Sequence, residues 1–357
     1  MDSKHFISRN SNSPIAFNTK WEAPSNIALI KYWGKTEPQI PKNPSLSFTL
    51  SSSVTTTAVT FTPNPGATFS FEFAFEGVLK PDFHPKLNVF FNRIKPYIPW
   101  IDSYSLKIES RNSFPHSSGI ASSASAMAAL SLCLLDMEKT LFPELDPTYF
   151  NQKASFLARL GSGSAARSIE GPLCFWGKNS CRKDSSDLYS TPFGPSLNPI
   201  FSTYQDSILL VDKGSKQVSS TQGHQLMHNH PFAEKRFIQA NQNLSKLVPL
   251  MEAGDLEGFI EIVESEALSL HAMMMTSLPY FILMQPQTLS IIQKVWDFRK
   301  TTQTPLCFTL DAGANVHLLY PKHTRENVAA FIEAELADFC QNRQYLIDAV
   351  GSGAKKV

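Results

Sequence analysis

The run Arg111-Asn-Ser-Phe-Pro-His-Ser-Ser-Gly-Ile-Ala-Ser-Ser-Ala-Ser-Ala-Met-Ala-Ala-Leu130 decides how the chain is read. Just before it Tyr104, Leu106 and Ile108 alternate with polar neighbours, which predicts a strand; within and beyond it Met127, Leu130, Leu134 and Met137 recur at helical spacing. The small-residue loop in between therefore sits where a helix begins. The first N–H groups of a helix lack backbone partners and the dipole's positive end points outward, so the position suits a phosphate. Nothing from 117 to 123 is bulkier than Ile120, and Ser122 and Ser123 add hydroxyls for phosphate oxygens or a metal ion. No Lys follows Gly119, so this is not the Gly-x-x-x-x-Gly-Lys-Ser/Thr loop. A Ser/Ala-rich helix start chosen for close packing fits the loop equally well, and the other motifs must decide.

The chain's 357 residues leave room for two domains and a substantial core. Hydrophobic residues at 42% and charged residues at 18% describe an ordinary soluble globular protein. A net charge of +1 provides no long-range field for nucleic acid or a membrane surface, so local groups must hold any anionic ligand. Cys133, Cys174, Cys181, Cys307 and Cys340 are odd in number and widely spaced, which reads as reduced thiols and not as a disulfide frame or zinc site. The N-terminal segment lacks the apolar core of a signal peptide, and no apolar run approaches transmembrane length. A cytoplasmic location is expected.

Residues 1–20, rich in Ser and Asn, read as a loose arm. An apolar strand from Trp21 then ends in Lys31-Tyr-Trp-Gly-Lys35, where Tyr32 and Trp33 favour a pocket over an exposed tip for the two lysines. Ser45, Ser47 and Thr49 alternate with Leu46, Phe48 and Leu50; the hydroxyl face either looks to water or lines a site. Pro63-Asn-Pro-Gly66 predicts a hairpin joining 54–61 to 69–75, with Phe69, Phe71, Phe73 and Phe75 on a core face. A short helix is expected over 86–97. A second Gly/Ser cluster, Gly161-Ser-Gly-Ser-Ala-Ala-Arg167, offers Ser162, Ser164 and a guanidinium to one carboxylate or phosphate.

The polar, proline-rich stretch 178–205 places a linker there, which divides the chain into domains at 21–204 and 205–357. The second half opens with a buried strand near 208 and a polar turn through Ser220 and Thr221. Helices follow at 232–250, at 255–275 (capped by Asp255) and at 287–300. His224, His228 and His230 lack acidic or cysteine company and read poorly as a metal site. Asp311 stands between two apolar strands beside Gly313, either as a turn former or as a deliberately buried acid. A last helix is expected over 324–340, followed by a polar tail.

Pro115-x-x-x-Gly119-Ile-Ala-Ser-Ser-Ala124 resembles the phosphate-binding motif of the GHMP kinase superfamily. Taken with Asn26-Ile-Ala-Leu-Ile-Lys-Tyr-Trp-Gly-Lys35, Gly161 to Arg167, Val218-Ser-Ser-Thr-Gln-Gly223 and Asp311-Ala-Gly-Ala-Asn315, it resembles the diphosphomevalonate decarboxylase family in particular, from about Trp21 to Tyr320. The resemblance implies a two-domain α/β (α+β) fold: an N-terminal mixed-sheet α/β domain that binds ATP, a C-terminal ferredoxin-like α+β domain, and the active site in the cleft between them. It implies ATP-dependent decarboxylation of (R)-5-diphosphomevalonate to isopentenyl diphosphate, a requirement for Mg2+, and a homodimer, with no nucleic-acid or membrane partner.

By the same resemblance Asp311 acts on the substrate's C3 hydroxyl, with Lys31 beside it. Arg167, Ser162 and Ser164 hold the carboxylate; Tyr32, Lys35, Ser220 and Thr221 hold the diphosphate. Pro115, Ser117, Ser118, Gly119, Ile120, Ala121, Ser122 and Ser123 cradle ATP, and Ser123 also serves catalysis and the metal. Ser45 and Ser47 match a serine pair of the family. The chain departs from the usual pattern at His116, at Ala166 in place of Cys, at Ala314 in place of Pro and at His224 in place of Met. A monophosphate decarboxylase or a mevalonate 3-kinase of the same architecture, and a non-catalytic ligand-binding relative, are the competing expectations; loss of Lys31, Arg167 or Asp311 would mark the last, and all three are present.

Overall fold

A computed structural model describes residues 2–10, 13–64, 66, 68–115, 120–214 and 220–357. The first sheet contains β1 (Phe17–Ile30), β2 (Ser45–Pro63), β3 (Ser70–Phe75), β4 (Val78–Leu79), β5 (Tyr104–Asn112), β6 (Leu173–Trp176) and β7 (Thr191–Pro192). The second contains β8 (Gln205–Leu209), β9 (Cys307–Thr309), β10 (Val316–Tyr320) and β11 (Tyr345–Ala349); the final strand β12 (Lys355–Lys356) returns to the first. The helices are α1 (His84–Ile94), α2 (Ser122–Leu141), α3 (Pro147–Gly161), α4 (Ser220–Gln225), α5 (Ala233–Ala253), α6 (Leu256–Met275), α7 (Pro286–Thr302) and α8 (Arg325–Phe331), besides shorter turns.

β2 organises the first sheet. It pairs antiparallel with β1 from Phe17↔Phe61 to Ile30↔Leu46, with a break in register between Pro24↔Val54 and Asn26↔Thr49, while its other edge takes β6 at the start and β5 at the end. Between those two partners the amides of Ser51, Ser52 and Ser53 have no strand beside them, and the Asp348 carboxylate of β11 accepts all three at 2.7–3.0 Å. Backbone groups that leave a ladder need such a partner when buried. The second sheet runs β9-β10-β8-β11, which with its helices gives the β-α-β-β-α-β order of a ferredoxin-like domain.

α1, α2 and α3 cover one face of the first sheet, burying Phe90, Leu134 and Phe156 against Val59, Phe61 and Ile108. On the opposite face Leu29, Leu46 and Phe48 share a core with Leu244 of α5, Phe259 of α6 and Leu319 of β10. The two halves are thus fused through α5 and α6, and their cleft opens beside that seam. Asp255 caps α6 as its position predicts, accepting from the Gly258 amide at 3.0 Å.

Several expectations are corrected. The segments around Pro63-Asn-Pro-Gly66 do not form a hairpin: β3 pairs in parallel with β5, which lies between it and β2. A turn sequence fixes a local reversal, not the pairing partner, and β5 wins the place by burying Leu106 and Ile108. Residues 1–20 are not a loose arm, because Phe6 is fully buried against Phe156 at 4.6 Å and β1 already starts at Phe17. The 324–340 helix breaks after Phe331 into a π turn and a 3-10 turn, and the polar tail carries β11 and β12. The stretch 178–205 carries β7 and is tied down by Arg182, which donates to the Phe193 carbonyl at 2.5 Å.

Truncating a fully buried aromatic costs about 3–5 kcal/mol. Phe6→Ala is therefore expected to lower unfolding free energy by about 3 kcal/mol in urea titration, whereas a truly loose arm would give a change near zero.

Candidate functional site

The cleft is built around two groups 280 residues apart. Lys31 follows the last residue of β1, and Asp311 lies in the turn between β9 and β10; Lys31 Nζ reaches Asp311 Oδ1 at 3.1 Å. The lysine side chain is 1% exposed, whereas the carboxylate, at 29%, faces the cleft. Burial pushes the Lys31 ammonium down from its ordinary range and the neighbouring Asp311 pulls it back up.

α6 holds both partners by their backbones. Its Glu266, fully buried, accepts the Lys31 amide at 2.9 Å and is itself gripped by the Arg236 guanidinium of α5 and by Asn243 Nδ2 at 2.7 Å. Its His271 donates from Nε2 to the Asp311 carbonyl at 3.1 Å; because a carbonyl only accepts, Nδ1 carries no proton. Burial lowers the His271 pKa to about 4, so the ring is neutral.

The 3-10 turn Gly163–Ser168 delivers Arg167 to the same cleft. Its Nε donates to Ser47 Oγ and its Nη1 to Ser45 Oγ, both at 2.6 Å, and Trp176 lies 5.6 Å from the guanidinium. These bonds consume one edge of the fork. Burial lowers the Arg167 pKa to about 10, which still leaves it charged at neutral pH. The hydroxyl face of β2 therefore aims an arginine and does not look to water. Gly163 permits this wall to close: a Cβ there would sit 2.7 Å from the Tyr32 hydroxyl and 2.9 Å from Trp176. The Tyr32 hydroxyl is buried without a protein partner, and burial raises its pKa, which keeps it a donor. Lys35 Nζ meets Gln39 Oε1 at 2.8 Å, and Ser123 Oγ meets Ser162 Oγ at 3.2 Å.

Lys31, Tyr32, Lys35, Ala121, Ser123, Ser162, Ser164, Arg167 and Asp311 all line one cavity of about 300 Å3. Asn26, Gln39, Lys86 and His224 also line it, residues to which the motifs assign no role. Ser123 and Lys86 also border a second, apolar cavity of about 170 Å3, walled by Phe73, Phe75, Phe83 and Met127 with Ser122 and Asn112 at its rim. Ile120 is buried beneath the helix start, where its carbonyl accepts from Ser25 Oγ at 2.7 Å, and Pro115 is exposed. Ser117, Ser118 and Gly119 lie outside the described residues, as do the side chains of Ser220 and Thr221.

Glu266, Arg236 and His271 were invisible as site residues, because in sequence they are ordinary polar positions inside amphipathic helices. Among the described residues no group of three or more His, Cys, Asp and Glu is placed to hold a metal. His224 Nδ1 accepts from the Gly34 amide at 2.9 Å and His230 bonds to the Phe232 amide and Met273 carbonyl, so the two rings have separate partners.

A mixed-sheet domain fused to a ferredoxin-like one, with cationic and hydroxyl groups of one lining a cleft against a carboxylate of the other, defines a two-domain α/β enzyme acting on anionic small molecules. Residues 23–187 match the model of the diphosphomevalonate decarboxylase-like N-terminal domain, and residues 207–352 that of the mevalonate 5-diphosphate decarboxylase C-terminal domain. The chain belongs to the diphosphomevalonate decarboxylase family. It is 29% identical to a diphosphomevalonate decarboxylase of Aspergillus fumigatus over 330 residues, covering 88% of this chain and 79% of that one. Among solved structures it resembles mevalonate diphosphate decarboxylase of Staphylococcus aureus (28% identity, TM-score 0.82, 96% and 98% of the two chains). It also resembles MDDEF in complex with MVAPP, AMPPCP and magnesium (29%, TM-score 0.81, 96% and 99%).

His224 and His271 are held neutral, at about 3 and about 4, against about 6.5 in an unfolded chain. The unfolded state therefore binds more protons below that value, so stability present above about pH 6.5 is lost as pH falls toward 4. Each ring contributes a slope of about 1.4 kcal/mol per pH unit in that window. Urea titrations across it are expected to show the decline, and His271→Gln, which retains an N–H for the Asp311 carbonyl, to reduce the slope.

Proposed function

We propose that the chain catalyses ATP-dependent decarboxylation of (R)-5-diphosphomevalonate to isopentenyl diphosphate, releasing ADP, phosphate and carbon dioxide. The observation that carries this reading is the Lys31–Asp311 pair at the meeting point of the cationic cavity and the serine-lined start of α2. A tertiary alcohol is a poor leaving group, so the chemistry needs a base and a phosphoryl donor at one oxygen. Asp311 takes the C3 hydroxyl proton as that oxygen bonds to the γ-phosphorus and ADP departs; Lys31 keeps the carboxylate ionised and offsets charge on the transferring group. The C1–C2 bond then breaks, its electrons form the C2–C3 double bond, and phosphate leaves with the C3 oxygen while C1 departs as carbon dioxide.

Arg167, with its remaining N–H groups and the neighbouring Ser162 and Ser164, holds the C1 carboxylate. Tyr32, Lys35 and the turn through Ser220 and Thr221 hold the diphosphate. Loop 115–123 and the first amides of α2 cradle the ATP phosphates, and the apolar cavity receives the adenine, with Asn112 available to its polar edge. Ser123, bordering both cavities, is the hydroxyl that would hold Mg2+, whose role when bound is to neutralise phosphate charge. The complex of the related MDDEF with MVAPP, AMPPCP and magnesium supports the choice of these ligands. We assign ATP binding to a domain at 21–204 and a C-terminal domain to 205–357, with β12 returning to the first sheet. A cytoplasmic homodimer completes the reading; the five cysteines are free, in keeping with a reducing compartment, and no helix among the described residues is long and apolar enough to cross a membrane.

Incubation with MgATP and the 5-diphosphate is expected to release ADP and carbon dioxide in equal amounts; ADP without carbon dioxide would indicate a kinase instead. Asp311→Ala is expected to lower kcat by about 10²- to 10⁴-fold while MgATP binding, followed by fluorescence titration, stays near that of the parent. Arg167→Gln is expected to weaken binding of the 5-diphosphate far more than of MgATP, and equal losses would contradict its carboxylate role.

A further inference from the structure

His224 occupies the position where the family pattern has a thioether, and its ring is fixed on three sides. The ring centroid lies 4.3 Å from that of Tyr32 and 4.7 Å from that of Trp33, and Nδ1 takes the Gly34 amide at 2.9 Å. An amide N–H only donates, so Nδ1 is the bare nitrogen and the proton of the neutral imidazole resides on Nε2. Burial, reinforced by the nearby Lys35 charge, keeps the ring neutral. Nε2 has no hydrogen-bond partner among the described residues, yet it is not one of the sealed, unpartnered atoms of the interior, and the ring borders the cleft. A donor that meets no acceptor among the described residues, on a ring that borders a binding cavity, is placed for a ligand.

We propose that His224 is a specificity-determining residue whose Nε2–H donates a hydrogen bond to a phosphoryl oxygen of the substrate's 5-diphosphate arm. The assignment rests on the reaction proposed above. Three residues that carry donors then line the same cavity, Lys35, Tyr32 and His224, with the Tyr32 and His224 ring centroids 4.3 Å apart. Two of them are neutral. In a cavity that already holds Lys31, Lys35, Lys86 and Arg167, a neutral donor adds directional recognition without adding cationic repulsion, which a further lysine would bring. A methionine thioether has no N–H to offer, so the replacement changes the chemistry of the wall and not only its shape.

The test measures binding of 5-diphosphomevalonate by calorimetry, and steady-state kcat and KM, for the parent, His224→Met, His224→Gln and His224→Asn. Loss of a hydrogen bond to a charged acceptor corresponds to about ten- to a hundredfold in affinity. His224→Met is expected to weaken the 5-diphosphate by that factor, with KM rising more than kcat falls and KM for MgATP nearly unchanged. Gln carries an amide N–H at the reach of Nε2 and is expected to recover most of the loss. Asn reaches only as far as Nδ1, serves the Gly34 amide alone, and is expected not to. Recovery by Asn but not by Gln would overturn the proposal in favour of a purely structural role, as would parent-like affinity in His224→Met. Parent protein that releases no carbon dioxide would overturn the reaction itself; parent turnover with an unchanged His224→Met affinity would overturn only the role of His224.

Discussion

The constraint on which the site depends is that one helix holds two distant stretches of backbone. Glu266 fixes the amide of Lys31 and His271 fixes the carbonyl of Asp311, five residues further along α6. The ion pair of 3.1 Å is thereby set from behind, by bonds to main chain, and both residues line the cleft. Glu266 has no exposure of its own, and the Arg236 fork, Asn243 and the Lys31 amide satisfy its carboxyl oxygens at that depth. Such buried pairs add little net stability, because desolvation offsets their attraction, but removing one partner strands the other at a cost of about 3–5 kcal/mol. Their contribution here is register. They lock the end of β1 to the β9–β10 turn while the apolar seam of Phe48, Leu244 and Phe259 supplies the cohesion.

That division of labour explains the disposition of the two cavities. The polar one collects charge from β1, the Gly163–Ser168 turn and the β9–β10 turn, all anchored in the fused core. The apolar one lies behind the start of α2, where phenylalanines of β3 and of the approach to α1 face Met127. Ser123 borders both, so a long anion with an apolar end can lie across the helix start with its phosphates against free amides. On the proposed function, a ligand so placed has its phosphoryl end toward Asp311, which is the ordering a phosphoryl transfer requires.

How much of this was legible in the sequence varies with the range of the interaction. The strand at 104–112 and the helix after it follow from local periodicity, because burial of Leu106, Ile108, Leu134 and Met137 obeys the period of each element. The ferredoxin-like domain and the cleft followed from family resemblance, since nothing local joins Lys31 to a residue 280 positions away. Where pairing partners are chosen by the whole sheet, local signals misled. Pro63-Asn-Pro-Gly66 marked a turn but β5 took the neighbouring edge, and Phe6 looked like part of a polar arm although a pocket of aromatic rings awaited it. The alternation of Ser45 and Ser47 matched a solvated strand as well as a site wall; only the arrival of Arg167, some 120 residues later, distinguishes them.

The cleft is also incomplete by electrostatic criteria. Arg167 is buried among serines, an asparagine and a tryptophan and makes no salt bridge among the described residues, although the Asp311 charge acts on it across the cleft; both it and Lys31 are depressed first of all by loss of water. A guanidinium with no carboxylate bonded to it in such a place is costly. The same holds for the orphaned hydroxyl of Tyr32. An incoming carboxylate or phosphate compensates these groups at once, so the desolvation already incurred on folding becomes affinity for an anion on binding. Preorganisation of this kind is also what makes charge stabilisation effective during reaction, because the dipoles and charges need not reorient as the phosphoryl group moves. On the proposed function, the rigidity conferred by Glu266 and His271 on the ion pair, and by Ser45 and Ser47 on the arginine, is therefore the structural origin of both recognition and catalysis in this cleft.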